Sequence, residues 1–392
     1  MSKKRIPLSE PWISGNEWKY VRECLDTNWV SSAGKFVEKF ESAICGKFGA
    51  KRAVACMNAT SGLFLALKVA GVGPRDEVIV PDLTFISPVN AVRYLGAEPV
   101  FMDCDDHMNI DPEKVDEFCR KECRAASKGL VNKRTGRPVK AIVPVHIFGN
   151  PCDMNRIMPI AKKYRLKVIE DAAESIGASY TKGTYSGRFT GTIGDLGVYS
   201  FNGNKIITSG GGGMVVSNNI ALAEKARYLA NQAKDDPVRY MHEEVGYNFR
   251  LTNMQAALGL AQLERLEGLI KAKKRNYALY KRLLEGTAGV EILGTPEGTS
   301  PNYWFYSLIV EKKGFGMDRD AVMEHLQAKG IQTRPVWYLN HLQRPYRGNR
   351  AYRIEKAPRF WRTVLNLPCN ANLKREEIKY VTSAIRGLWR GK

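Results

Sequence analysis

The chain holds cysteine without any arrangement that would use it. Its eight cysteines, Cys24, Cys45, Cys56, Cys104, Cys119, Cys123, Cys152 and Cys369, form no CxxC pair, and only five histidines are available to complete a metal site. That scatter excludes zinc-finger and zinc-ribbon chemistry and supplies no disulfide framework, so reduced thiols and no metal are expected. Cys119 and Cys123 are spaced to share a helix face, but two thiols without partners make no zinc site. Long apolar runs are missing too: none approaches the ~20 residues needed to cross a bilayer. The basic start MSKKRIPLSEPW is followed by no apolar segment, which argues against a secretory signal and for a cytoplasmic protein with no membrane partner. Internal repeats and low-complexity tracts are absent.

Acidic residues are in short supply: 40 Asp and Glu face 60 Lys and Arg, a formal charge of +20. The excess is spread along the chain rather than gathered into a tail, and no helix-turn-helix, zinc-finger or RNP pattern accompanies it. Nucleic acid is therefore not the expected partner, and a fold that attracts phosphorylated small molecules is the more economical reading. A regulatory nucleic-acid-binding protein is the alternative of a different class.

What is present is a rhythm. In the first half, short β-rich runs alternate with helical periods: RAVACM, DEVIVP, EPVFMD, VKAIVPVH and LKVIEDAA read as strands, and TSGLFLALKVAG, PVNAVRYLG, PEKVDEFCRKE and CDMNRIMPIAKKY as helices. This predicts an α/β fold with a mainly parallel sheet flanked by helices, its strands buried on both faces. KGLVNKRTGRP reads as a polar hairpin or loop inserted between two elements. GGMVVSN follows as a strand and IALAEKARYLANQ as a helix, then one helical run covers about Thr252 to Leu284. From about Gly289 the pattern becomes α+β, with NYWFYSLIVE as a strand and RDAVMEHLQAKG as a helix. The expected division is a large domain over residues 1–284 and a smaller α+β domain over residues 285–392.

Three stretches carry candidate chemistry. Asn58-Ala-Thr-Ser-Gly62 lies between a strand and a helix, where open α/β sheets bind ligands and where hydroxyls and backbone N–H groups suit a phosphate. Thr60 reads equally as a plain helix cap. Asp171, in VIEDAAESIGA, ends a buried strand and so faces a cleft; Glu170 and Glu174 compete with it for that place. Lys205, in SFNGNKIITSGGGGM, is framed by a polar turn and four glycines, which permit close backbone approach. An amine in such a frame suits Schiff-base chemistry, although a flexible linker has a similar look. His146 sits in a strand-to-helix loop, either on a ligand or on backbone. Phe85 stacks on a flat ring or belongs to the core. Trp29, in WVSSAGK, and Arg334, Trp337, His341 and Arg344, in TRPVWYLNHLQRPY, are the remaining candidates for substrate contact or for a subunit contact.

Taken in order, NATSG, PDLTFISPVNAV, VHIFGNPCDM, EDAAESIGA, GDLGVYSFNGNKIITSGGGGM and GYNFRLTNMQAALGLAQLE resemble the DegT/DnrJ/StrS family of sugar aminotransferases nearly end to end. The resemblance implies fold type I and the cofactor pyridoxal 5′-phosphate. It implies Lys205 as the Schiff-base lysine and Asp171 as the partner of the pyridinium nitrogen. Thr60 and Ser61 match the phosphate-binding pair, Ser200 adds a phosphate contact, and Phe85 matches the aromatic on the cofactor ring. Glu174 matches a position that touches the ring, and Asn248 one lent by the neighbouring subunit, hence a homodimer. The implied substrates are a nucleotide-linked keto sugar and L-glutamate. SFNGNKII with its glycines and the KRTGRPV insertion is similar to the LegC and PglE branch, which aminates UDP-linked 4-keto-6-deoxy-N-acetylhexosamines; GDP-perosamine synthases and dTDP-sugar 3-aminotransferases are the alternatives. Many relatives read Gly-Thr-Ala where this chain has Ala59-Thr60-Ser61. Perosamine synthases commonly carry a glutamate where it has Gly211.

Overall fold

The structure is a computed structural model, and it describes residues 5–389 except Lys128 and Pro237. Its main sheet has ten strands. Eight of them form one row: Arg52–Cys56, Gly213–Ser217, Leu196–Ser200, Lys167–Asp171, Pro138–Ile142, Glu77–Pro81, Glu98–Met102 and Ala351–Tyr352. Within the row Gly213–Ser217 runs against both neighbours, and the remaining pairs are parallel. The strands Glu77–Pro81, Leu196–Ser200 and Gly213–Ser217 are buried throughout. That is the burial expected where helices cover both faces of a sheet, and it accounts for the unbroken apolar runs.

The polar insertion forms the hairpin Cys123–Ala126 and Gly129–Asn132, which pairs antiparallel with Pro138–Ile142. Lys128 lies outside the described residues. Cys123 therefore starts a strand, while Cys119 ends in the helix Pro112–Lys121, so the two thiols do not share a helix face. The run from Thr252 to Leu284 is two helices, Asn253–Glu264 and Leu266–Leu284, separated by Arg265. Thr252 and Gln255 form a capping box at the start of the first, which an N-cap threonine with glutamine at the third position favours.

A second core lies around an antiparallel sheet of Val290–Ile292, Tyr306–Val310, Val364–Leu367 and Arg334–Pro335. It buries Ile6, Tyr280, Leu284, Leu326 and Val381 among others. The strand expected over NYWFYSLIVE is confined to Tyr306–Val310, and Asn302–Phe305 is irregular chain instead. Ala351–Tyr352 returns to the main sheet beside Glu98–Met102. Among the described residues no helix is long and apolar enough to cross a membrane.

The parallel strands point their carboxyl ends the same way. Cys56, Pro81, Ile142, Asp171 and Ser200 all end there, and the segments that leave them converge on one cavity. Open α/β sheets place ligands at this edge because several loops diverge from it.

Candidate active site

The cavity has a volume of about 450 Å³, and Asp171, Glu174, Lys205, Thr60 and Ser200 line it together. Residues spread over some 145 positions of sequence thus meet in one place. Glu170 does not join them. Neighbouring residues of a strand point to opposite faces, and Glu170 accepts N–H groups of Gly191, Ile193 and Gly194 at 2.7–2.9 Å, with His146 Nε2 at 3.1 Å. His146 Nδ1 accepts the Cys152 N–H at 2.9 Å, so the ring hydrogen sits on Nε2 and points at Glu170. Burial works against the Glu170 charge, but these donors hold its carboxyl below the ordinary range. His146 and Glu170 are accordingly a buried structural pair.

Asp171 ends its strand only 3% exposed and accepts the Ala173 N–H at 3.1 Å. Burial raises its proton affinity, and the Ala173 bond and the charge of Lys205 pull back. Glu174, three residues on, accepts the Phe148 N–H at 2.8 Å. Burial pushes its carboxyl up to about 7, with Lys205 opposing. Phe148 holds φ at 54°, an uncommon conformation for a bulky residue, and in it aims that N–H at Glu174. Lys205 Nζ lies 3.8 Å from Glu174 Oε1 and 3.8 Å from the centroid of the Trp304 ring. Burial lowers its proton affinity below that of a free lysine, against the pull of Glu174 and Asp171. An amine that sheds its proton more readily spends more time in the neutral form, the one that can attack an aldehyde or take up a proton.

The hydroxyl side is built by the helix Ala59–Val69. Its cap is Asn58, whose side chain accepts the Ser61 N–H at 2.8 Å, so Thr60 is not the cap. Thr60 Oγ1 is left to meet Ser87 Oγ at 2.6 Å on the cavity wall. Gly213 brings the glycine segment against this helix start: a Cβ there would stand 2.6 Å from the Asn58 backbone carbon. Thr84 also lines the cavity, and among the described residues its buried Oγ1 has no hydrogen-bond partner. Phe85 is half exposed, its ring centroid 6.4 Å from that of Trp337.

A family model of the DegT/DnrJ/EryC1/StrS aminotransferases matches residues 11–386. The chain belongs to that family. It is 40% identical over 383 residues to the GDP-perosamine synthase of Caulobacter vibrioides, covering 97% of both chains. It is 35% identical to the GDP-perosamine synthase of Escherichia coli O157:H7, covering 99% of this chain and 100% of that one. The solved structure of DesI with its TDP-sugar product superposes with a TM-score of 0.87 at 29% identity, covering 100% of this chain and 94% of that one. The resemblance therefore holds at the level of the family, while these relatives are perosamine synthases rather than members of the LegC and PglE branch. Gly211 does not decide between branches by sterics: a Cβ there meets only Gln255 Nε2, at an ordinary 3.4 Å.

This aminotransferase family is pyridoxal-phosphate-dependent. The residues present fit that group. An amine, two buried carboxylates, a set of hydroxyls beside a helix N-terminus and one unpartnered hydroxyl, Thr84 Oγ1, share a single cavity.

Other expected site residues fall elsewhere. Ser61 lines an adjoining cavity of about 600 Å³ with Phe64, Tyr94, Tyr247 and Phe249. Trp29 is 57% exposed and outside the cavity wall. Asn248 is exposed and bridges Asn231. His341 is held by Asp82, which takes its Nδ1 at 2.7 Å and its backbone N–H at 2.8 Å, so it ties a turn to a strand end rather than facing the cavity. Arg334 does reach the wall. Sequence reasoning missed Trp304, Phe148, Thr84 and Ser87 as wall residues; NYWFYSLIVE looked like strand, which hid Trp304.

Proposed function

We propose that this aminotransferase converts the 4-keto group of a nucleotide-linked 4-keto-6-deoxyhexose to an amine, with L-glutamate as donor and 2-oxoglutarate as the second product. The observation that carries the reading is the placement of Lys205 between Glu174 and Trp304 in the cavity that Asp171, Thr60 and Ser200 also line.

Bound pyridoxal phosphate supplies an aldehyde for amines and a ring that accepts electron density. Lys205 would hold it through the aldehyde. The lowered proton affinity of the amine suits it to carry a proton to and from carbon once it is released. Asp171, as an anion, would pair with the ring nitrogen and keep it protonated. Thr60, Ser200 and the N–H groups that start the helix Ala59–Val69 would hold the phosphate. Phe85 would cover the ring. Glu174 holds a proton or a charge 3.8 Å from the Lys205 amine, and both side chains are largely shielded from solvent.

Full-length similarity to two GDP-perosamine synthases favours GDP as the nucleotide. A UDP-linked N-acetyl sugar is the second reading, carried by Gly211 where perosamine synthases commonly hold glutamate. The same proposal includes a cytoplasmic homodimer in which Asn248 of one subunit completes the phosphate site of the other, a smaller unit beginning after Leu284, and a role in surface-polysaccharide synthesis. Incubation with glutamate and GDP-, UDP- or dTDP-4-keto sugars should yield a 4-amino product from the GDP sugar, identified by NMR. Product from the UDP sugar alone would replace the first reading with the second, and amination at C3 would overturn both. Borohydride should fix the cofactor on the Lys205 peptide, and Lys205→Ala should lower turnover by about 10⁴-fold with its circular dichroism unchanged. Full activity in that variant would end the proposal.

A further inference from the structure

The irregular stretch Asn302–Phe305 comes from the C-terminal part of the chain yet reaches the catalytic lysine. Trp304 is 3% exposed. Its indole face lies 3.8 Å from Lys205 Nζ, and its indole N–H donates to the Asn204 carbonyl at 2.7 Å. It therefore grips both the side chain of residue 205 and the backbone immediately before it. Its own backbone is held on two sides. The Trp304 N–H donates to Asn302 Oδ1 at 3.0 Å, and Asn302 Nδ2 donates to the carbonyls of Glu174 and Ile176 at 2.9 and 3.0 Å. The Trp304 carbonyl accepts from Lys273 Nζ at 3.2 Å, a buried lysine that also donates to the Cys369 carbonyl.

This arrangement answers a need of the proposed reaction, on which the inference rests. The lysine must let go of one partner and stay poised, with its proton, for the next step. A long flexible side chain does not stay in one place unless something holds it. An aromatic face attracts an ammonium and offers it no competing hydrogen bond.

We propose that Trp304 is the positioning residue of Lys205: it gives the released ammonium a resting place on its ring and fixes the Asn202–Lys205 turn through the Asn204 carbonyl. Lys273 and Asn302 act behind it, by fixing Trp304 against the helix Leu266–Leu284 and against the turn that carries Glu174. Such a device separates two properties of one residue. The ring face acts on the amine, and the indole N–H acts on the backbone.

The test uses the full chain in two ways. In the cofactor-stripped protein, trace acylation with acetic anhydride, read by peptide mass spectrometry against exposed Lys274, reports the state of Lys205 directly. Trp304→Leu should raise Lys205 acylation by about fivefold, because the ammonium loses the ring that favours it. Trp304→Phe, which keeps a ring face, should stay within about twofold. In the loaded enzyme, Trp304→Leu should lower kcat on the order of 10²-fold while KM for glutamate and sugar changes little, since only the geometry of the amine is disturbed. Trp304→Phe, which keeps the ring but loses the N–H to Asn204, should recover part of that loss. Unchanged acylation and kcat in Trp304→Leu would overturn the inference, as would an equal loss in the phenylalanine variant. Should the leucine variant fail to fold, Trp304→Met, which also lacks a ring, takes its place: acylation raised about fivefold supports the inference and unchanged acylation overturns it. A wild-type protein that fails to fix the cofactor on Lys205 would instead sink the proposed function, so the two failures are told apart.

Discussion

The amine and its carboxylates differ from Phe85 and Arg334, on the same cavity wall, in how they are held. Asp171 and Glu174 are 3% and 6% exposed, and each carboxylate accepts a backbone N–H. Lys205 is clasped on its side chain and beside its backbone. Phe85, by contrast, is 51% exposed, and Arg334 is exposed with its guanidinium donating only to the carbonyl of Thr333 next to it among the hydrogen bonds seen. One group is positioned by the sheet and its loops, the other by side-chain choice alone. The difference teaches where chemistry and specificity are stored. The buried charged groups are fixed by backbone contacts, whereas Phe85 and Arg334, at the exposed side of the same cavity, are free to adjust.

That contrast can be broken most severely at Asp171. Asp171→Asn keeps the size and the Ala173 contact but loses the charge, and kcat should fall by at least about 10²-fold with little change in thermal stability, read by steady-state kinetics and calorimetry. Normal turnover would show that the buried carboxylate is not the one that matters. A middle-sized effect is expected on the hydroxyl side. Thr60→Val should weaken cofactor affinity about tenfold, as one hydrogen bond to a charged group is worth about 1.5–3 kcal/mol, while kcat at saturating cofactor stays near normal; equilibrium dialysis separates the two. The smallest effect sharpens the comparison within the buried group. Glu174 binds its proton more tightly folded than unfolded, up to about 7, so its burial costs nothing at low pH and lowers stability as pH climbs from about 4.5 through about 7. Glu174→Gln should flatten that part of the melting-temperature profile, and an unaltered slope would place the titration on another group.

Much of this was readable before any coordinates. The apolar runs and their turn residues located the strands, because a strand covered on both faces has no polar alternation to confuse with a helix. Glycines and a strand end are local signals that marked Lys205 and the Glu170–Asp171–Glu174 stretch, and the family resemblance chose Asp171 among the three carboxylates. The rest was lost where the answer is non-local. Gly213–Ser217 has the composition of its parallel neighbours, so its opposite direction is invisible in the text. Arg265 separates two helices without proline or glycine to announce it. Thr60 looked like the cap until Asn58, two residues earlier, took that bond. Trp304 lies about a hundred positions beyond Lys205, and nothing near it in sequence points to an amine. His341 reads as a functional histidine, yet Asp82, from another part of the chain, claims its ring.

The near-contact of Gly213 with the backbone of Asn58 carries a consequence for how such an enzyme can change over time. It acts as a gauge: the glycine segment that follows Lys205 is pressed against the start of the helix Ala59–Val69, main chain on main chain, with no room for a methyl group between. A lineage can therefore exchange residues at the open side of the cavity without altering that spacing. A β-carbon at residue 213 is an atom it is not free to add.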